Sequence, residues 1–351
     1  MSKDNSKQII NAGCACATDK GIWFVHYVVP LLMFYDFDEK KVVFSEFIPC
    51  TECRCPFGIY SGIMYSNNKL FIIALLAKES FVYDIDVKCF KKIEICANES
   101  ERGFYGTCLN DGFVYAIPLL GDVITRINVD SEKVEYLKTE TNMQRLNSAN
   151  YVEDNSFLCT AISTSKLYKY EVKNNICKEL IIREEECSFG YVDYFNGKYY
   201  GYDYKTKKII CFNDKGIIEK KSNIIGIESV LITHTYNGKI VLDDNYSGKI
   251  YLLNEDLVIE KVIDTDVPNN KLVSPYKIGC WINYNGNTYD ISKSNELIVI
   301  NEDGIERINL YMNQDIWDDM ANKYVNKKLA ENQSVLEEDE LCNLKEFLKS
   351  I

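Results

Sequence analysis

A short turn-forming motif recurs seven times along this chain, and its spacing constrains the fold more than any other feature. Every copy begins with Asn or Asp and has Gly or Asn within the next two residues. The copies are Asp19-Lys20-Gly21-Ile22, Asn67-Asn68-Lys69-Leu70, Asn110-Asp111-Gly112-Phe113, Asp154-Asn155-Ser156-Phe157, Asn196-Gly197-Lys198-Tyr199, Asn237-Gly238-Lys239-Ile240 and Asn285-Gly286-Asn287-Thr288. They are separated by 48, 43, 44, 42, 41 and 48 residues. A unit of about 44 residues is therefore repeated, and such a period is typical of propellers, solenoids and other arrays.

The composition of the motif predicts a tight turn between two antiparallel strands. The I′ turn that matches strand twist needs positive φ, which Gly and Asn adopt most easily. A β-rich run follows each motif, as at residues 70–76, and a second turn, as at 254–256, leads to an outer strand. Together with the strand before each motif, as at 230–236, every unit has four antiparallel strands, named a, b, c and d in chain order.

Four strands in each period of about 44 residues form the pattern of a propeller blade, whereas leucine-rich and ankyrin-type repeats are shorter and partly helical. In this pattern the chain resembles the β-propeller superfamily over residues 10–312. The resemblance implies an all-β fold, a seven-bladed β-propeller. The Trp-Asp ending of Trp-Asp-repeat propellers and the regular Gly-Gly pair of kelch propellers are missing, so no subfamily's functional residues are carried over. Because each unit runs from strand a to strand d, we expect blade 7 to pack on blade 1 without exchange of a strand.

The two ends of the chain differ from the repeats. Residues 1–9 are polar and predict a lead-in without the apolar run of a signal peptide. Residues 313–351 predict a C-terminal helical tail, because apolar residues recur near the helical period after Asn313 and Asp315, either of which can cap a helix. Such a tail packs on the propeller as a lid or, alternatively, docks a partner.

Charge and cysteine content limit the partners and the compartment. The net charge of −12 argues against a nucleic-acid binder, which needs a basic surface, and against anionic membranes. The longest apolar run, residues 22–35, is interrupted by His26 and Pro30 and is too short for a spanning helix. We therefore expect a cytoplasmic protein, in which most of the fourteen cysteines remain reduced.

The distribution of arginine suggests a binding surface. The resemblance to propellers implies that strand a lies nearest the axis and that the d-to-a connections lie on the face that usually binds ligands. The chain has six Arg, and four of them fall in successive d-to-a connections: Arg54, Arg102, Arg145 and Arg183. Guanidinium groups bind carboxylates or phosphates through paired hydrogen bonds. This rim predicts the capture of a protein, a peptide or a small anionic ligand at the channel mouth. The alternative is local pairing with acids such as Glu99 and Glu184.

Aromatic and polar residues of the a strands are further candidates. Four aromatics stand near the starts of a strands and either line the same mouth or pack within the blades: Phe57, Tyr105, Phe189 and Tyr276. The polar set Asp193, His234, Asn147 and Asn150 can face the channel and supports an alternative function, a metal-dependent hydrolase or lyase with a channel metal such as Ca²⁺. A lone His among apolar residues is more often hydrogen-bonded filler. We therefore favour a non-catalytic recognition or scaffold module over an enzyme.

A cysteine cluster supports a third function. Cys50, Cys53 and Cys55 lie in the first d-to-a connection, and Cys14 and Cys16 lie on the first a strand. Thiolates are preferred ligands of Zn²⁺ and of iron–sulfur clusters, so the cluster suggests a metal or redox site. Its spacing is not that of a standard zinc knuckle. Buried, unreactive thiols are the alternative, and no cofactor is the favoured expectation.

Overall fold

Each of the seven Asn- or Asp-led motifs is a turn between two antiparallel strands in the computed structural model. Asn196 and Gly197 have φ of 51° and 75°, and Asn285 and Gly286 have φ of 46° and 77°. Positive φ at both central residues is the I′ geometry that the motif predicts. The structure describes residues 10, 12–27, 29–50, 60–75, 77, 79–95, 103–161, 166–182, 187–222, 230–235, 237–244, 247–264, 280–291, 295–319 and 322.

The strands form seven four-stranded antiparallel sheets, each made of four consecutive strands. Blades 1 and 2 are β1 (Ala12–Thr18), β2 (Gly21–His26), β3 (Leu31–Asp36), β4 (Lys41–Phe47), β5 (Tyr60–Ser66), β6 (Lys69–Ala74), β7 (Ser80–Asp84) and β8 (Cys89–Ile93). Blades 3 and 4 are β9 (Phe104–Asn110), β10 (Phe113–Pro118), β11 (Gly121–Asn128), β12 (Val134–Met143), β13 (Leu146–Val152), β14 (Ser156–Ala161), β15 (Leu167–Glu171) and β16 (Ile176–Leu180). Blades 5 to 7 are β17 (Phe189–Phe195), β18 (Lys198–Asp203), β19 (Lys208–Phe212), β20 (Ile218–Lys221), β21 (Val230–His234), β22 (Ile240–Asp244), β23 (Lys249–Leu253), β24 (Ile259–Asp264), β25 (Trp281–Tyr284), β26 (Asn287–Asp290), β27 (Glu296–Asn301) and β28 (Gly304–Asn309). The prediction of a seven-bladed propeller is confirmed.

The first strands of neighbouring blades pack against one another around a central channel. Their approach is close enough to require glycine at two positions. A Cβ on Gly62 would lie 1.7 Å from Thr107 Oγ1, and a Cβ on Gly106 would lie 2.5 Å from the Ala149 carbonyl oxygen. The apolar cores lie between successive blades, where the buried second and third strands of one sheet face the next.

Blade 7 packs against blade 1 without exchanging a strand, as expected from the sequence. Hydrogen bonds cross this closing seam instead. The backbone N–H of Ala12 donates to the Ile291 carbonyl (3.0 Å), that of Asn295 donates to the Ile10 carbonyl (2.8 Å), and that of Val42 donates to the Tyr311 carbonyl (3.0 Å). Met312 also forms a parallel bridge with Val42. Segments from both ends of the propeller therefore hold the ring closed.

A short helix, α1 (residues 314–319), follows the last blade. Asn313 caps it, because its Oδ1 accepts a hydrogen bond from the Asp315 N–H (2.9 Å). Trp317 is 1% exposed and belongs to the apolar cluster between blades 7 and 1. This first part of the predicted tail therefore packs on the propeller, and the rest, apart from residue 322, lies outside the described residues. Within the described part of the chain, no helix has the length and apolar character needed to cross a membrane.

Candidate functional site

The central channel contains a cavity of about 270 Å³. Strand a of every blade contributes to its wall, and most of the contributions are small residues such as Gly13, Gly62, Gly106 and Ala149. Every strand a begins at a d-to-a connection and ends at an a-to-b turn, so different loops surround the two ends of the channel. The end at the strand starts is called the upper mouth here, and the end at the a-to-b turns is called the lower mouth.

Three aromatic side chains from three blades line the upper mouth: Tyr105, Tyr191 and Trp281. Burial raises the pKa of the Tyr191 hydroxyl, and the neighbouring Tyr105, Tyr204 and Tyr27 hydroxyls raise it further. The Trp281 Nε1–H is buried without a hydrogen-bond partner among the described residues. An unpaired buried donor costs about 1–3 kcal/mol and usually has a structural or functional reason.

The predicted arginine rim is described at one position. Arg145 is exposed in the connection between β12 and β13, which lies on the side of the upper mouth. The other predicted rim residues, Arg54, Arg102 and Arg183, lie outside the described residues. The two arginines within strands form ion pairs, Arg126 with Glu135 (2.7 Å) and Arg307 with Glu296.

The four predicted mouth aromatics have different outcomes. Tyr105 lines the channel. Phe189 does not, because it is 5% exposed and stacks on Phe212 with ring centroids 5.6 Å apart. Gly201 makes room for its ring, since a Cβ there would lie 2.6 Å from Phe189 Cδ1. The packing alternative therefore describes Phe189. Phe57 and Tyr276 lie outside the described residues.

Asp193 and His234 form a hydrogen-bonded pair towards the lower mouth. His234 Nδ1 lies 2.7 Å from Asp193 Oδ2, and the two side chains are 20% and 6% exposed. Phe195 stacks on the imidazole with ring centroids 4.9 Å apart, and Asn283 Nδ2 donates to the His234 carbonyl (3.0 Å). Asp193 and Phe195 therefore fix the orientation of the ring, and Asn283 holds the backbone of the same residue.

The pair changes the protonation of the imidazole. Burial favours the neutral form of His234, but the hydrogen bond to Asp193 and the charges of Asp193 and Glu153 outweigh it and raise the pKa above its ordinary value of 6.5. Asn147 and Asn150, the other two predicted channel residues, donate to the carbonyls of Gly190 (3.1 Å) and Val192 (3.0 Å). These two amides therefore join blade 4 to blade 5.

A second cavity, of about 580 Å³, opens at the lower mouth and is called the lower cavity. Its lining residues are Glu153, Phe195, Asn196, His234, Thr235, Asn237, Gly238, Glu255 and Asn283. The two carboxylates of this cavity, Glu153 and Glu255, were not predicted from the sequence. Tyr191 was not predicted either, although strand alternation indicates it: Tyr191 lies two positions from the predicted channel residue Asp193 and faces the same side.

The cysteine cluster is described only in part. Cys50 is buried, and Cys53 and Cys55 lie outside the described residues. Cys14 lines the channel, and burial raises the pKa of its thiol to about 12. Such a thiol carries almost no thiolate at neutral pH, so it is a poor nucleophile. Within the described residues, no three His, Cys, Asp or Glu side chains are grouped closely enough to hold a metal ion.

No family model and no curated protein matches the chain. Solved structures with a similar fold include virginiamycin B lyase from Staphylococcus aureus, which is 13% identical with a TM-score of 0.62, and the match covers 82% of this chain and 97% of the lyase. The YCF48 protein bound to a D1 peptide is 10% identical with a TM-score of 0.60, and the match covers 87% of this chain and 94% of YCF48. At these identities the similarity shows the propeller fold alone.

Proposed function

We propose that this protein is a non-catalytic recognition module that binds a peptide or protein segment with anionic side chains at the upper mouth. The observation that carries the proposal is the aromatic lining, in which Tyr105, Tyr191 and Trp281 converge from three blades on one end of the channel. Aromatic side chains of this kind supply large contact areas at low entropic cost and dominate binding hot spots.

Arginine supplies the anion preference. Arg145 is exposed beside this end of the channel, and the sequence pattern puts Arg54, Arg102 and Arg183 in equivalent connections. In a protein with a net charge of −12, a local arginine surface is the feature that favours a carboxylate or phosphate group. A propeller of similar fold, YCF48, is known with a bound peptide, so the fold is compatible with peptide capture.

Isothermal titration calorimetry with matched peptides tests this proposal. The probe is a blocked tetrapeptide of two Asp and two Glu, and the control peptide has Asn and Gln in their place. We expect saturable binding of the acidic peptide only. Trp281→Ala should weaken it about 30-fold or more, because truncation of a hot-spot residue costs about 2 kcal/mol or more.

A matched variant separates the anion contact from the aromatic contact. Arg145→Gln keeps the approximate size and the polarity of the side chain and removes its charge. We expect it to weaken binding of the acidic peptide several-fold. Arg126→Gln is the control, because Arg126 pairs with Glu135 within blade 3. Equal binding of the neutral peptide, or an equal effect of the two Arg variants, would contradict the proposal.

A further inference from the structure

The lower cavity is a second site, independent of the proposed recognition surface. It lies at the opposite end of the channel and is formed by the a-to-b turns of blades 4 to 6, the c-to-d turn of blade 6 and strand a of blade 7. At about 580 Å³ it has the volume of a small-ligand pocket.

His234 lines this cavity and has one ring nitrogen that is not hydrogen-bonded to another described residue. Nδ1 is engaged by the buried Asp193 carboxylate, which holds the proton of the neutral imidazole on Nδ1. Nε2 is then a hydrogen-bond acceptor, and His234 lines the cavity. The stacked Phe195 holds the ring, and the Asn283 amide holds the His234 backbone, before a ligand arrives. A histidine that only fills space within a core does not open onto a cavity of this size.

Asn196 positions two carboxylates on the rim of the same cavity. Its backbone N–H donates to Glu153 Oε1 (2.6 Å), and its Nδ2 donates to Glu255 Oε1 (2.8 Å). The described lining contains neither Lys nor Arg. Two lysines near Glu255 are engaged with other groups. Lys220 Nζ donates to the Glu255 backbone carbonyl (3.0 Å) and pairs with Asp256 (2.6 Å), and Lys198 pairs with Glu219 (3.1 Å).

The negative charge of the lower cavity distinguishes two functions of the Asp193–His234 pair, catalysis and ligand binding. A His–Asp pair can act as a general base, but acyl and phosphoryl transfer build negative charge that needs donors or cations nearby. Glu153 and Glu255 oppose such charge. The same carboxylates favour a positive ligand, and the Nε2 acceptor requires a ligand that donates a hydrogen bond. An ammonium group meets both requirements.

We infer that the lower cavity binds a primary ammonium group, which donates a hydrogen bond to His234 Nε2 and is attracted by the Glu153 and Glu255 carboxylates. A free alkylamine and the lysine side chain of a partner share this chemistry. The ligand favours the neutral imidazole, so its affinity rises with pH as His234 loses its second proton. The charged groups that act on this imidazole are Asp193 and Glu153, and Glu255 lines the same cavity.

Histidine NMR tests the inference directly, because the chain has two histidines. In protein with ¹³C-labelled histidine, the pKa of His234 is measured with and without n-butylammonium chloride, and n-butanol is the uncharged control. His26 is the internal reference, since it is buried and its Nδ1 accepts a hydrogen bond from the Val29 N–H (3.2 Å) within blade 1. We expect butylammonium to lower the pKa of His234 saturably and to leave the His26 signal unchanged.

Rim variants and a second probe complete the test. Glu153→Gln and Glu255→Gln should each weaken butylammonium binding about tenfold, the usual size of a charge-assisted contact. Lys133→Gln, at the exposed Lys133–Glu135 pair of blade 3, should leave butylammonium binding unchanged. The second probe is a blocked lysine tripeptide. If both the tripeptide and butylammonium bind, the site is assigned to the lysine side chain of a partner, and if only butylammonium binds, it is assigned to a free amine. A His234 pKa that no amine lowers, or equal effects of butanol and butylammonium, would overturn the inference.

Discussion

Replacement of Trp317 by Ala should open the ring at the seam between blades 7 and 1. The side chain is 1% exposed and packs with residues of both terminal blades. Truncation of a buried Trp to Ala costs about 3–5 kcal/mol. Among the described residues three backbone hydrogen bonds cross the seam, and at about 1 kcal/mol each they contribute about 3 kcal/mol. The Trp317 indole therefore stabilises the closed ring by about as much free energy as the backbone hydrogen bonds across the seam. Its loss would remove a large part of a total stability of about 5–15 kcal/mol.

Urea unfolding followed by circular dichroism measures the loss of stability, and hydrogen exchange locates it. The amides of Ala12, Val42 and Asn295 should lose protection first, because their acceptors lie across the seam. Trp317→Phe keeps an aromatic ring in the cluster and should cost less than half as much. A loss below about 0.5 kcal/mol, the scale of a surface substitution, would refute the role of α1 in closure. Equal loss of protection in blades 3 to 5 would also refute it.

Three further predictions concern the site and the blade scaffold. Asp193→Asn should lower the pKa of His234 measured by NMR. Because the pKa of His234 in the folded protein is raised above 6.5, the Asp193–His234 pair stabilises the wild-type fold at low pH and stops doing so as the pH rises through the folded pKa. In the variant this pH-dependent part of the free energy of unfolding should be absent. Asp203→Ala should lower the free energy of unfolding by about 3 kcal/mol, because its buried carboxylate accepts four hydrogen bonds at the end of β18, and Asp203→Asn should cost less in the same urea titration. Gly106→Ala should cost about 1–3 kcal/mol by overpacking the inner strands, whereas at Gly13 the nearest atom to an added Cβ is 3.3 Å away and the same change should cost less.

The hairpin turns and the blade count were predictable because they depend on local chemistry. Gly and Asn at fixed positions determine the turn, and the turn determines strand pairing. The contact between Asp193 and His234 could also be predicted from the sequence repeat. Each residue stands three positions before the Asn of its own turn, Asn196 or Asn237, so the two occupy equivalent positions on the inner strands of adjacent blades. Equivalent positions in neighbouring repeats lie side by side, although 41 residues separate them in the chain.

The rest of the site depends on contacts that the repeat does not encode. Glu153 and Glu255 come from turns of blade 4 and blade 6, and both accept hydrogen bonds from Asn196 of blade 5. Phe189 illustrates the opposite case. From its position near the start of a strand, Phe189 was predicted to lie at the channel mouth or to pack within the blade. In the structure its ring occupies the space beside Gly201 and belongs to the core between blades 4 and 5. Side-chain direction depends on such local volumes and was not visible in the strand pattern.

Tryptophan fluorescence tests the proposed recognition surface most directly. Trp23 and Trp317 are buried in the core, whereas Trp281 lines the channel, so the difference between the spectra of wild-type protein and Trp281→Phe isolates the channel signal. Titration with the blocked Asp/Glu tetrapeptide should change that difference spectrum saturably, and the Asn/Gln peptide should not. Binding of the acidic peptide, measured by calorimetry, without any change in the Trp281 signal would place the ligand elsewhere and contradict the proposal.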